Sequence, residues 1–172
     1  MQIETPRLLL RPYTRDDLDA LYRLWTDPGV RRYLFDDEIM TRAWVAAEIE
    51  HSLACFETDG SGQWAMMLKG HDALMGFCGY RAFHDPPEMQ LIYGLAPAYW
   101  GRGLAAEAAR AMIRYGFETL GFDEIIASTD APNHASIRVM EKAGMAFQKR
   151  IPIDGLDTIY YAISRADFET ED

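Results

Sequence analysis

Between residues 95 and 106 the chain reads Leu95-Ala96-Pro97-Ala98-Tyr99-Trp100-Gly101-Arg102-Gly103-Leu104-Ala105-Ala106, a strand end, two glycines one residue apart, and a helix that opens on small side chains. Such a turn suits anion binding. The first N–H groups of a helix lack partners within it and carry a partial positive charge that draws phosphate. Glycine has no Cβ to hold a diphosphate off the backbone. Ala105, Ala106, Ala108 and Ala109 keep the first turns slim. The same glycines equally suit an ordinary turn, and spacing alone does not choose between the two. It does argue against a dinucleotide fold, which needs Gly-x-Gly-x-x-Gly after an early strand, and against a P-loop, which ends in Gly-Lys-Ser/Thr.

A second group lies downstream. Asn133 follows Pro132 and precedes a periodic apolar run, the place of an N-cap whose side chain accepts a backbone N–H. Ser136, three residues later, faces the same way on the first turn, where its hydroxyl bonds locally or reaches a ligand. Arg102, Arg138 and Lys142 are cations for a phosphate or solvated surface charges. Acid–base candidates are few. Gln90, on a strand approaching the glycine turn, can orient a water but cannot take a proton. Asp85 and Glu88 fall in the turn His84-Asp85-Pro86-Pro87-Glu88 and read as solvated. His51, His71, His84 and His134 lack ligand or triad spacing, and no metal is expected.

Periodicity gives the elements that must position these residues. Residues 7–11 read as a first strand. Thr14 caps a helix whose Leu18, Leu21, Tyr22 and Trp25 recur at helical spacing, stopped by Asp27-Pro28-Gly29. A second helix starts near Thr41, carries Val45, Ile49, Leu53 and Phe56, and ends before Asp59-Gly60. Strands at 63–69, 74–83 and 89–95 form an antiparallel meander. A helix at 101–120 bears one polar stripe, Glu107, Arg110, Arg114 and Glu118. Strand 124–129, helix 133–143 and strands 145–150 and 158–164 complete the order. The expected class is α/β (mixed α+β), one domain over 1–172, with helices on both faces of a mixed sheet.

Composition narrows the partners. The 172 residues include 17 Lys and Arg against 27 Asp and Glu, a formal net charge of −10. Nucleic-acid backbone recognition needs a concentrated basic surface, so no nucleic-acid partner is expected. The net charge serves solubility or steers cations. No apolar run approaches the roughly 18–20 residues of a membrane span, and residues 1–6 lack signal-peptide character. Cys55 and Cys78 form no disulfide framework or metal spacing. A cytoplasmic protein without a membrane partner is expected.

The run from Tyr93 to Ala105 resembles the acetyl-CoA motif of the GNAT superfamily of N-acetyltransferases, and Asn133-x-x-Ser136-x-Arg138-Val139-Met140-Glu141-Lys142-x-Gly144 resembles its downstream companion. Thr5-Pro6-Arg7-Leu8-x-Leu10-Arg11, Tyr99-Trp100-Gly101 and Tyr160-Tyr161-Ala162 are similar to the branch of ribosomal-protein N-terminal acetyltransferases, the RimJ/RimL type. The resemblance covers nearly the whole chain. It implies a GNAT fold, a mostly antiparallel mixed sheet of about seven strands flanked by about four helices and splayed after the fourth strand. It implies acetyl transfer from acetyl-CoA, as cosubstrate, to a small-molecule or peptide primary amine. Leu95 and Ala96 would lie at the splay, with an N–H near Leu95 donating to the thioester oxygen. Gly101, Arg102, Gly103, Leu104, Ala105 and Ala106 would cradle the diphosphate. Asn133 would meet pantetheine amides, Arg138 and Lys142 CoA phosphates, and Ser136 the departing sulfur. Gln90 stands where related sequences often place a glutamate base. Tyr33, within Val30-Arg31-Arg32-Tyr33-Leu34, and Glu88 would line the acceptor side. A homodimer suits this branch. A catalytically weak acetyl-CoA-binding sensor or interaction module is the alternative, and a generic nucleotide-binding domain a third reading.

Overall fold

Successive strand residues point to opposite faces, so an all-apolar strand serves two cores at once. Leu8-Leu9-Leu10 does this: Leu8 and Leu10 sit fully buried in one core, and Leu9 packs against the other. The computed structural model describes residues 1–171. Its strands are β1 (Ile3–Glu4), β2 (Leu8–Pro12), β3 (Gln63–Leu68), β4 (Gly76–Phe83), β5 (Glu88–Leu95), β6 (Glu124–Asp130), β7 (Ala146–Ile153) and β8 (Leu156–Ser164). They form one eight-stranded sheet in the order β1-β2-β3-β4-β5-β6-β8-β7. One core, around Leu21, Trp25, Val45 and Ile49, holds α1 (Leu18–Thr26), α2 (Pro28–Leu34) and α3 (Arg42–Thr58) against the sheet. The other, around Met112, Phe117 and Met140, holds α4 (Leu104–Glu118), α5 (His134–Lys142) and α6 (Arg165–Glu171).

The mixed α/β class and the GNAT architecture hold, with eight strands and six helices where about seven and four were expected. Three local differences have physical causes. Asp27-Pro28-Gly29 ends α1 but also opens α2. The Asp27 carboxylate accepts from Gly29 N at 2.8 Å and Val30 N at 3.4 Å, and Pro28 takes the first helical position, where its missing N–H costs nothing. Residues 30–34 are therefore helical. The last hairpin closes through Asp154-Gly155, both at positive φ (50° and 81°), a tight turn matched to strand twist, so the ladder runs on from residue 150 to 153 and restarts at 156. Glu88 belongs to β5, paired with Phe83, rather than to the turn before it.

The sheet is split. Strands β1 to β5 are antiparallel neighbours, and so are β6, β8 and β7. Between the two halves, β5 and β6 run parallel and share one register pair among the described residues, Gln90 with Ile126. Beyond it the strands diverge, which is the splay expected after the fourth predicted strand.

Candidate active site

The glycine turn starts where β5 ends. Pro97–Tyr99 makes one 3-10 turn, and Gly101 and Gly103 follow at φ +73° and +75°. An L-residue pays about 1–2 kcal/mol in that left-handed region, so the backbone itself favours glycine there. Gly103 is the N-cap of α4. A Cβ on Gly101 would meet nothing within 4 Å, and one on Gly103 would meet Arg7 Nη2 at 3.6 Å, so the outer face of the turn stands open to a ligand. Leu104 and Ala106 are buried in the core behind it and Ala105 is half-buried; their contribution outward is backbone N–H. Arg102 is exposed, its guanidinium 5.8 Å from the Tyr99 ring.

A brace from the start of the chain holds this turn. Glu107, in the first turn of α4, accepts from Thr5 Oγ1 (2.5 Å), Arg7 N (2.8 Å) and Arg7 Nε (2.6 Å), while Arg7 Nη1 donates to the Arg102 carbonyl (2.8 Å). Burial pushes the Glu107 carboxyl up, but the hydrogen bonds from Thr5 and Arg7 outweigh it and hold it below its ordinary range. The Thr5-Pro6-Arg7 opening thus has a structural task that sequence reading did not identify. Its one signal was an acid in the first turn of a glycine-led helix, Glu107, which calls for a compensating cation.

The splay exposes backbone. Ala96 N donates to Met75 O at 2.8 Å, which fixes the phase of the β4–β5 ladder. By alternation, the N–H and C=O groups of Leu91, Tyr93 and Leu95 turn toward β6, into the gap. The Leu95 carbonyl accepts from the Trp100 indole at 2.8 Å. Its N–H faces the gap.

Across the gap, Asn133 caps α5: Oδ1 accepts from Ser136 N at 3.3 Å and Nδ2 donates to Thr129 Oγ1 at 3.0 Å. The capping role is thus real, and one lone pair and one N–H of the amide remain for a second partner. Ser136 Oγ lies 2.8 Å from the Tyr93 hydroxyl, which also reaches Ser136 O at 3.1 Å. Burial pushes the Tyr93 phenol well above its usual range, so it remains protonated. Sequence reading missed Tyr93, although period-two alternation with Leu91 and Leu95 put its hydroxyl on an otherwise apolar edge. Arg138 and Lys142 are exposed on α5.

Gln90 is 3% exposed and tied at both ends, donating to Glu88 Oε1 at 2.8 Å and accepting from Ser128 Oγ at 2.7 Å. His84 Nε2 lies 3.4 Å from the Tyr160 hydroxyl. Tyr33 is half-buried on α2 under the Arg32 guanidinium. Between α1, the α2–α3 connection, α3 and the β3–β5 part of the sheet lies a cavity of about 310 Å³. Among the described residues no group of three or more His, Cys, Asp or Glu side chains is placed to hold a metal ion, and no helix is long and apolar enough to cross a membrane.

A mixed sheet split beside a glycine-led helix N-terminus, with a hydroxyl pair across the split, is the frame of an acyltransferase. Residues 7–146 match the acetyltransferase (GNAT) domain, and the chain belongs to that family, which moves an acetyl group from acetyl-CoA to an amine. It is 30% identical over 169 residues to the uncharacterized N-acetyltransferase YnaD of Bacillus subtilis (strain 168), covering 95% of this chain and 96% of the relative. It is 25% identical over 140 residues to spermidine N(1)-acetyltransferase of Escherichia coli (strain K12), covering 81% and 73%. The crystal structure of the acetyltransferase from Agrobacterium tumefaciens str. C58 shares the fold with a TM-score of 0.83 at 25% identity, over 96% of this chain and 95% of that one.

Proposed function

We propose that this chain, acting as one catalytic domain in the cytoplasm, acetylates a small primary amine with acetyl-CoA lying across the glycine turn and along the β5–β6 gap. The observation that carries this reading is the gap: a sheet edge with backbone donors turned inward, a helix N-terminus at one end and Ser136 opposite. When bound, acetyl-CoA supplies an activated thioester. The N–H groups following Gly103 hold its diphosphate, with Arg102, Arg138 and Lys142 as outer cations. The remaining N–H and lone pair of Asn133 meet the pantetheine amides. The Leu95 N–H donates to the carbonyl oxygen, where negative charge grows during attack.

The amine nitrogen forms the new C–N bond as the C–S bond breaks; its surplus proton leaves to solvent, and the departing thiolate accepts a hydrogen bond from the Ser136 hydroxyl and takes its proton from solvent. A primary alkylamine resembling the lysine side chain, with a pKa near 10.4, is almost wholly protonated at pH 7, so it loses a proton to solvent before it attacks, and turnover rises with pH. Gln90 instead orients the Glu88 side chain, donating to its Oε1 at 2.8 Å, on the acceptor side. A small acceptor, rather than the protein N-terminus suggested by the RimJ/RimL-type motifs, is favoured by the modest cavity volume of about 310 Å³. The spermidine substrate named for one relative points the same way.

Incubating the protein with acetyl-CoA and a panel of amines and peptides, and following thiol release and product mass, tests the reading. Acetylated product and stoichiometric thiol are expected. Acetyl-CoA binding without thiol release from any member would replace it with the binding-module reading.

A further inference from the structure

The cavity on the α1–α3 face is built from aromatic rings. Trp25 stands edge-on to Phe35 at 6.0 Å, to Trp44 at 5.9 Å and to Phe77 at 5.7 Å between centroids, and all four rings line the space. Its sheet side is Gln63, Phe77, Arg81, Phe83 and Ile92 (three residues before Leu95), and Phe77 lies over Gly94: a Cβ there would come within 2.5 Å of the ring. The floor of the cavity therefore spans β3 and β4 and reaches β5 near its splayed end.

Its polar groups are unequal. Glu48 is neutralised by Arg81 at 2.7 Å and held by Gln63 at 2.9 Å, so it offers no charge to an occupant. Asp36 and Glu38 are exposed at the mouth, with no ion pair among the described residues.

We propose that this cavity selects the acceptor, taking the ring of a small arylalkylamine whose amine arm reaches toward Leu95. The inference rests on the transferase reading above and names its substrate class. A volume of about 310 Å³ lies at the lower end of small-molecule pockets and suits one ring with a short arm. An aromatic guest continues the edge-to-face packing of the walls. A polyamine would have to strip water from several ammonium groups in an interior whose one buried carboxylate is already paired.

The test compares tyramine, spermidine and a short peptide with a free N-terminus, using the full chain. The kcat/KM for tyramine should exceed those for spermidine and the peptide by at least roughly tenfold. Met40 borders the cavity from a connecting segment, so Met40→Trp narrows it with little risk to folding. That variant should raise the tyramine KM roughly tenfold or more while leaving the acetyl-CoA dissociation constant unchanged. Calorimetric titration with tyramine, which needs no turnover, should give saturable binding that Met40→Trp weakens. Faster acetylation of spermidine or peptide than of tyramine overturns the ring pocket and leaves the transferase standing. Tyramine binding with no thiol release supports the pocket and removes the transferase. No saturable tyramine binding, or binding indifferent to Met40→Trp, overturns the pocket directly.

Discussion

A tyrosine hydroxyl has one proton, and the placement of Tyr93 gives that proton two destinations. If it goes to the Ser136 carbonyl, Ser136 Oγ–H points back at the tyrosine oxygen and is lost to a leaving sulfur. If it goes to Ser136 Oγ, the serine proton turns outward. The proposed hydrogen-bond donation to sulfur requires the second arrangement, with Tyr93 as a positioning residue. Ser136→Ala should then lower kcat on the order of ten- to a hundredfold while the acetyl-CoA dissociation constant hardly moves, because the interaction strengthens only as thiolate character develops. Tyr93→Phe should cost less, and the double variant should be no slower than Ser136→Ala alone, since both changes act on one group. Additive losses, measured on folded variants, would separate the two residues and remove the relay. Ser136 was legible because its spacing from Asn133 is a local helical property. Tyr93 was not, since its partner lies 43 residues away and only the fold closes that distance. The same holds for Gln90: its residue type was readable, but its two tethers to Glu88 and Ser128 were not.

At the scale of the element, the glycine turn and α4 act as one part. Gly103→Val puts a branched side chain at φ +75°, on the outer face where a diphosphate must approach. It should abolish acetyl-CoA binding, read by calorimetry; wild-type affinity in a folded variant would place the cradle elsewhere. The brace predicts a pH effect. The Glu107 carboxyl is depressed in the folded chain, so its contribution is fully present above its unfolded value near 4.3 and disappears as pH falls through the folded value. Glu107→Gln should therefore be less stable to urea than wild type at pH 7, with the difference closing below about pH 4. A gap that stays constant across this range would mean that the ion pair is not the source. Turn chemistry explains why this element was readable: glycine at a strand end followed by alanines is local information. The Arg7–Glu107 pair spans 100 residues of chain and carries no local signature. Asp27-Pro28-Gly29 has the converse lesson, since a helix stop and a helix start use the same residues.

At the scale of the molecule, acetyl-CoA would bridge both halves of the sheet and bind only the folded state. At a hundredfold excess over its dissociation constant it should stabilise the protein by about 2.7 kcal/mol, or roughly 5–10 °C in melting temperature for a chain of this size. A melting curve indifferent to millimolar acetyl-CoA would remove the cofactor assignment. The order of strands and helices was largely readable, because each element announces its own period. Which two strands part company was not in the residues; it came from resemblance. That seam, one register pair between β5 and β6, has a consequence for solvent isotope uptake. Amides in the middle of an eight-stranded sheet ordinarily exchange slowly, through concerted opening of the ladder. The Leu95 amide has no ladder on its gap side, so it should take up deuterium far faster than the amide of Phe77, which is paired with Gly94 one strand away. Occupancy of the seam by acetyl-CoA should slow Leu95 selectively, reporting residue by residue on a cleft that runs through the interior of the sheet.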